Sequence, residues 1–137
     1  MEKLELKKDA DGRVSPVDYN LAKSFRCAAA GIAHTARGRN FKIEIGFGFA
    51  AVTLGFAFSV SLAEWLAIIV CIGLVLSLEV LNDAIEATVD LIVQKYHPLA
   101  KVAKDAGAGA ALIASLASFA VGVIIFLPRI LVLLGLM

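Results

Sequence analysis

Glu79, Asn82, Asp83, Glu86 and Asp90 stand in a largely apolar stretch that runs from Trp65 to Val93. They are separated by three, four and seven residues, so a helix would carry them on one face. A carboxylate set away from bulk water, within reach of a hydroxyl, is what a general base requires. Carboxylates without His or Cys beside them form an oxygen-only donor set, which favours Mg²⁺ over zinc or copper. Magnesium is usually held by one or two carboxylates together with substrate phosphates. Lys101 and Lys104 follow closely enough to receive those phosphates, as do the bases near the N-terminus.

The elements that must position these groups follow from composition. The chain has 137 residues, of which 60% are hydrophobic and 18% charged, and its mean hydropathy is +0.85. One domain of this size has too much surface to hide so many apolar side chains in water. A soluble enzyme or a nucleic-acid-binding module is excluded on that ground. The formal net charge of +1 conceals a segregation of sign. Nine bases lie between Met1 and Ile43, whereas Glu44 to Gln94 holds no Lys or Arg and six acids. Cys27 and Cys71 make no disulfide framework and read as ordinary thiols. The charged first forty residues lack the apolar run of a cleavable signal peptide, so the first membrane helix is expected to direct insertion.

Residues 1–14 read as a disordered charged lead. Ser15, Pro16 and Asp18 form a helix start, and Leu21, Phe25, Ala28, Ala29 and Ile32 recur at helical spacing after it. An amphipathic surface helix over about 15–38 is expected, lying on a membrane. Uncharged or long helical runs predict three spans, at about 45–63, 65–93 and 106–127, with a polar hairpin at Ser61 and Glu64. Gln94 to Asp105 reads as a basic loop, and Pro128-Arg129 as the end of the third span. The whole of 15–137 is then one all-α integral membrane domain. Basic residues before the first span and between the second and third place the N-terminus in the cytoplasm and the C-terminus outside. Ala106, Ala110, Ala114, Ser118 and Gly122 repeat every four residues and would let helices approach closely.

Counted along a helix from Trp65, Glu79 lies about 21 Å in and Glu86 about 31 Å, at the interface of a ~30 Å hydrocarbon core. A charge in that core costs at least ~2.5 kcal/mol, and no base within the spans offsets the cluster. A lipid alcohol below and a nucleotide above fit this stacking. A proton channel or small transporter would also use buried carboxylates, with less need of the lysines beyond them. Asp90 and Glu64 also fit plain solvated positions, and His34 a polar helix face. His97, before Pro98, suits capping of the basic loop or a contact to nucleotide.

Glu79-Val80-Leu81-Asn82-Asp83-Ala84-Ile85-Glu86-Ala87-Thr88-Val89-Asp90, with Tyr96-His97-Pro98-Leu99-Ala100-Lys101 and Ala103-Lys104-Asp105, resembles the signature of the prokaryotic diacylglycerol kinase family. The later part is similar to its undecaprenol kinase branch. The likeness extends from about Ser24 to Leu127 and takes in Arg39-Asn40-Phe41-Lys42-Ile43. It implies a homotrimeric membrane kinase of the bacterial inner membrane, which transfers the γ-phosphate of Mg²⁺-ATP to undecaprenol or diacylglycerol. By the same resemblance Glu79 is the catalytic base, Asn82 orients base or substrate, and Glu86 binds the metal and ATP. Tyr96, His97, Lys104 and Asp105 match ATP-contacting positions, in sites shared between subunits. Two positions depart from the pattern: Gly38 stands where a second metal-binding Glu is common, and Cys27 where a Tyr approaches ATP. A non-catalytic or transport-type protein that keeps the fold is the alternative these losses leave open.

Overall fold

The computed structural model describes residues 21–136. The charged lead 1–14 and the helix start at Ser15 and Pro16 lie outside the described residues. Four helices follow one another: α1 Leu21–Thr35, α2 Arg39–Ala57, α3 Leu62–Ile92 and α4 Pro98–Leu133. The most extensive packing is between α3 and α4, with α2 and then α1 set against α3.

α1 ends at Thr35, before the expected boundary near 38. Gly38 adopts an extended conformation (φ −62°, ψ 149°) as the N-cap of α2, which closes one helix and starts the next. Leu21, Phe25 and Ile32 of α1 are exposed, and its only buried residue is Thr35. An apolar stripe left open on a short helix is what a membrane surface would cover.

α2 ends at Ala57, so the stretch expected as a first span includes the turn. Phe58 to Val60 makes the reversal, with Ser59 at φ 49° and Val60 buried. Ser61 and Glu64, expected as the hairpin itself, instead form a capping box on α3. The Ser61 amide donates to Glu64 Oε2 at 2.7 Å, and Ser61 Oγ accepts from the Glu64 amide. Gly55 is required here, because a Cβ would come within 2.8 Å of Trp65 Cη2. Val60, Ile68, Ile125 and Phe126 make the core at this end, with Leu54, Trp65 and Ile130 against it.

α3 and α4 are long and apolar enough to cross a membrane, at 31 and 36 residues. At 1.5 Å per residue they measure about 46 and 54 Å, so both outreach a ~30 Å hydrocarbon core. α2 is shorter, 19 residues, and carries Arg39, Lys42 and Glu44 in its first turns.

Two boundaries of the third long helix differ from the sequence reading. The basic loop is only Val93 to His97, because Pro98 is the first helical residue and His97 the N-cap, with Nδ1 accepting from the Leu99 amide at 3.2 Å. Proline suits that place, having no amide proton to leave unpaired. At the other end α4 passes through Pro128 to Leu133. Ile125, Phe126 and Ile130 are packed into the core on both sides of the proline, and that packing outweighs the lost backbone bond.

The close face of α4 also differs from the expected ridge. Of the expected ridge Ala114 is buried and Ser118 and Gly122 are half-buried, whereas Ala106 and Ala110 are exposed and Gly107 and Ala111 are buried in their place. A strict four-residue repeat drifts around a helix of 3.6 residues per turn, while alternating steps of four and three stay on one side.

Candidate active site

The acidic residues of α3 descend from an exposed end into the protein. Asp90 and Glu86 have side chains 62% and 53% exposed, Asp83 and Asn82 are half-buried, and Glu79 is 9% exposed. The helix rise separates Asp90 from Glu79 by about 16 Å. One helix face therefore offers carboxylates in graded surroundings.

Each level is fixed by a different neighbour. Lys104 Nζ bridges Glu86 Oε1 at 3.0 Å and Asp90 at 3.0 and 3.1 Å. Those two carboxylates, Asp90 foremost, hold the Lys104 ammonium above the ordinary lysine range. Lys101 pairs with Asp105 one turn along, on the exposed side of α4. A level deeper, Thr35 Oγ1 donates to Asp83 Oδ2 at 2.7 Å and ties α1 to α3. Asn82 lies against Gly107, where a Cβ would come within 2.8 Å of Oδ1. Deepest, Glu79 faces Glu44 of α2, and the Ser115 hydroxyl of α4 lies beside Glu44.

Two cavities adjoin this stack. At the exposed end Asp90, Tyr96, His97, Lys101, Lys104 and Asp105 line a space of about 440 Å³. Tyr96, His97, Lys104 and Asp105, expected together, are thus brought around one cavity. Because α4 starts at Pro98, its lysines are set by helix geometry and not by a loop. At the buried end a groove of about 570 Å³ runs between α2, α3 and α4. Among the described residues Glu44 is its only charged lining residue.

Glu79 and Asn82 do not line the first cavity; Glu86 reaches it through Lys104. Gly38 supplies no carboxylate, and Cys27 is exposed. Three participants were not legible as such in the sequence: Thr35, Gly107 and the pairing of Asp90 with Lys104. Glu44 carried a signal, being the last charge before the uncharged run of α2.

Graded carboxylates lie on a helix long and apolar enough to cross a membrane, with a lysine-bearing cavity at one end and an apolar groove at the other. The sequence pattern of the prokaryotic diacylglycerol kinase family matches residues 26–126, and the chain belongs to that family. It is 49% identical over 109 residues to an undecaprenol kinase of Bacillus subtilis (strain 168), covering 79% of this chain and 89% of the relative. It is 42% identical over 114 residues to a diacylglycerol kinase of Synechocystis sp., covering 82% of this chain and 65% of that one. A diacylglycerol kinase of Pseudomonas aeruginosa shares 43% over 63 residues, 46% of this chain and 51% of the relative. The chain is accordingly an enzyme, a membrane lipid kinase.

Proposed function

We propose that this kinase transfers the γ-phosphoryl group of ATP to the hydroxyl of a membrane lipid alcohol, with undecaprenol as the acceptor. The observation that carries the reading is the α3 stack, in which a buried Glu79 stands below Asn82 and Glu86, and Glu86 shares Lys104 with a polar cavity. The likeness to the Bacillus subtilis undecaprenol kinase, which extends over most of both chains, supports undecaprenol over diacylglycerol.

In this mechanism the nucleotide enters at Tyr96, His97 and Asp105, and Lys104 draws its phosphates toward Glu86. Glu79 takes the proton from the lipid hydroxyl, whose oxygen attacks the γ-phosphorus while ADP leaves. Asn82, kept in place by Gly107, orients that hydroxyl or the base. Among the described residues no group of three His, Cys, Asp or Glu side chains is arranged to cage an ion, and the nearby donors are the oxygens of Glu86 and Asp90. Such a set suits Mg²⁺ that arrives with the nucleotide, and Glu86 would hold it. Bound there, magnesium would neutralise charge on the phosphates.

The same reading takes α2 as a third span, the N-terminus as cytoplasmic, the C-terminus as outside and the assembly as a homotrimer in the bacterial inner membrane. The placement of Lys95, Lys101 and Lys104 at one end of the α3–α4 pair supports that orientation. Large exposed apolar side chains on both helices, Leu74, Ile113 and Phe119 among them, support contact with lipid and with other copies. The test is purified protein in lipid, supplied with ATP, magnesium and both alcohols. Undecaprenyl phosphate is the expected product. ATP hydrolysis without any phosphorylated lipid would contradict the reading.

A further inference from the structure

Asp90 stands in the last turn of α3, which carries no base of its own. An acid there faces the negative end of the helix dipole and needs a cation from another element. Lys104 of α4 supplies it, and serves Glu86 one turn earlier as well. An ammonium group has three protons to donate. Three carboxylate oxygens surround Lys104 Nζ: Glu86 Oε1 at 3.0 Å, and Asp90 Oδ1 and Oδ2 at 3.0 and 3.1 Å. Each proton therefore has an acceptor. The rest of the cavity is matched as closely. Lys101 is paired with Asp105. Among the described residues Lys95, Lys101 and Lys104 stand against Asp90, Asp105 and, through Lys104, Glu86. In this arrangement the cavity is electrically balanced, and the lysine expected to meet phosphates has no proton left to offer them.

We propose that Asp90 is a positioning residue that pins Lys104 and so makes the site select magnesium-loaded nucleotide over the metal-free form. Metal-free ATP brings only negative charge, so drawing Lys104 onto its phosphates leaves Glu86 and Asp90 without a counter-charge. Two carboxylates one helical turn apart then repel each other and the phosphates. Nucleotide that carries Mg²⁺ brings two positive charges to the same face as Lys104 leaves it, and the exchange is balanced. The Glu86 and Asp90 side chains are more than half exposed, so the pin is weak enough to be released. The inference rests on the lipid-kinase reading and adds how the site tells two forms of its co-substrate apart, and which residue does so.

The test is calorimetric binding of a non-hydrolysable ATP analogue to the full chain in phospholipid nanodiscs, with EDTA or with magnesium. The wild type should bind the analogue about tenfold more tightly with magnesium. Asp90→Asn removes an acid from a helix C-terminus, which favours folding. It should tighten binding in EDTA about fivefold, the scale of an exposed ion pair, and change binding with magnesium little. Loss of a merely structural contact would not raise affinity. Lys104→Met should weaken binding in both conditions, and adding Asp90→Asn to it should recover nothing in EDTA, because no ammonium remains to be freed. A gain in EDTA that persists in the Lys104→Met protein would be plain relief of charge repulsion and would overturn the inference. So would Asp90→Asn binding the metal-free analogue no better than the wild type. A wild type that binds the analogue in neither condition would contradict the kinase reading itself, and the inference with it.

Discussion

Gly107 of α4 and Asn82 of α3 meet so closely that a single methyl group on the glycine would lie 2.8 Å from the amide oxygen of Asn82. The next nearest atoms, Ile85 Cδ1 at 3.4 Å and Asn82 Cα at 3.7 Å, are at tight and ordinary contact distances. Gly107→Ala should therefore leave the helix pair assembled and turn the Asn82 side chain away. The expected result is an unchanged melting temperature in detergent with lipid phosphorylation reduced about tenfold or more, the scale of a lost orienting hydrogen bond. An equal loss of folding would assign Gly107 to packing alone.

Thr35 Oγ1 and Asp83 join α1 to the acidic helix across 48 positions of sequence. Thr35→Val keeps the shape of the side chain and leaves the carboxylate without this donor. It should cost about 1–3 kcal/mol, because Thr35 is buried and its acceptor is charged. Hydrogen exchange should rise in α1 first and leave the α3–α4 pair protected.

Much of this arrangement could be read from residue order, and the parts that could not have physical causes. The stripe from Glu79 to Asp90 is visible because a helical face needs only spacing, and α3 is one unbroken helix. Ser61 and Glu64 were legible as a polar turn but not as a capping box, since the turn residues that precede them, Phe58 and Val60, look like the span itself. Pro98 and Pro128 show how context decides. One opens α4 and the other lies inside it, and only packing around Ile125 and Ile130 distinguishes them. Glu44 could be seen as a lone acid, whereas its meeting with Glu79 depends on how α2 crosses α3. The contact of Gly107 with Asn82 likewise belongs to tertiary structure.

Glu64 and Arg129 give the hairpin end a dependence on acid. Arg129 Nη2 donates to Glu64 Oε2 at 2.9 Å, and Ser61 adds two further hydrogen bonds. These contacts, Arg129 first, lower the Glu64 carboxyl to about 2 from an ordinary 4.5. A lowered value means the stabilisation is fully present above about pH 4.5 and fades as pH falls toward 2. Thermal unfolding of the wild type in detergent should worsen across that window more steeply than that of Glu64→Gln. Parallel curves for the two proteins would remove Glu64 from the account.

Lys104 and Glu86 should affect nucleotide handling together. Lys104→Met removes the ammonium shared by Glu86 and Asp90, leaving two like charges one turn apart. The KM for ATP should rise about tenfold, with a smaller change in the KM for lipid. Glu86→Gln should raise the magnesium concentration needed for half-maximal rate, which Lys101→Met, at the exposed Asp105 pair, should not.

The proposed chemistry has the buried carboxylate of Glu79 taking the proton of a lipid hydroxyl. Its most direct measurement is the rate of undecaprenyl phosphate formation by Glu79→Gln in lipid vesicles, taken with its affinity for Mg²⁺-ATP. Turnover should fall by a factor on the order of 10²–10⁴, with nucleotide affinity nearly unchanged and the protein still inserted and folded. A Glu79→Gln protein that phosphorylates the lipid at the wild-type rate would contradict it.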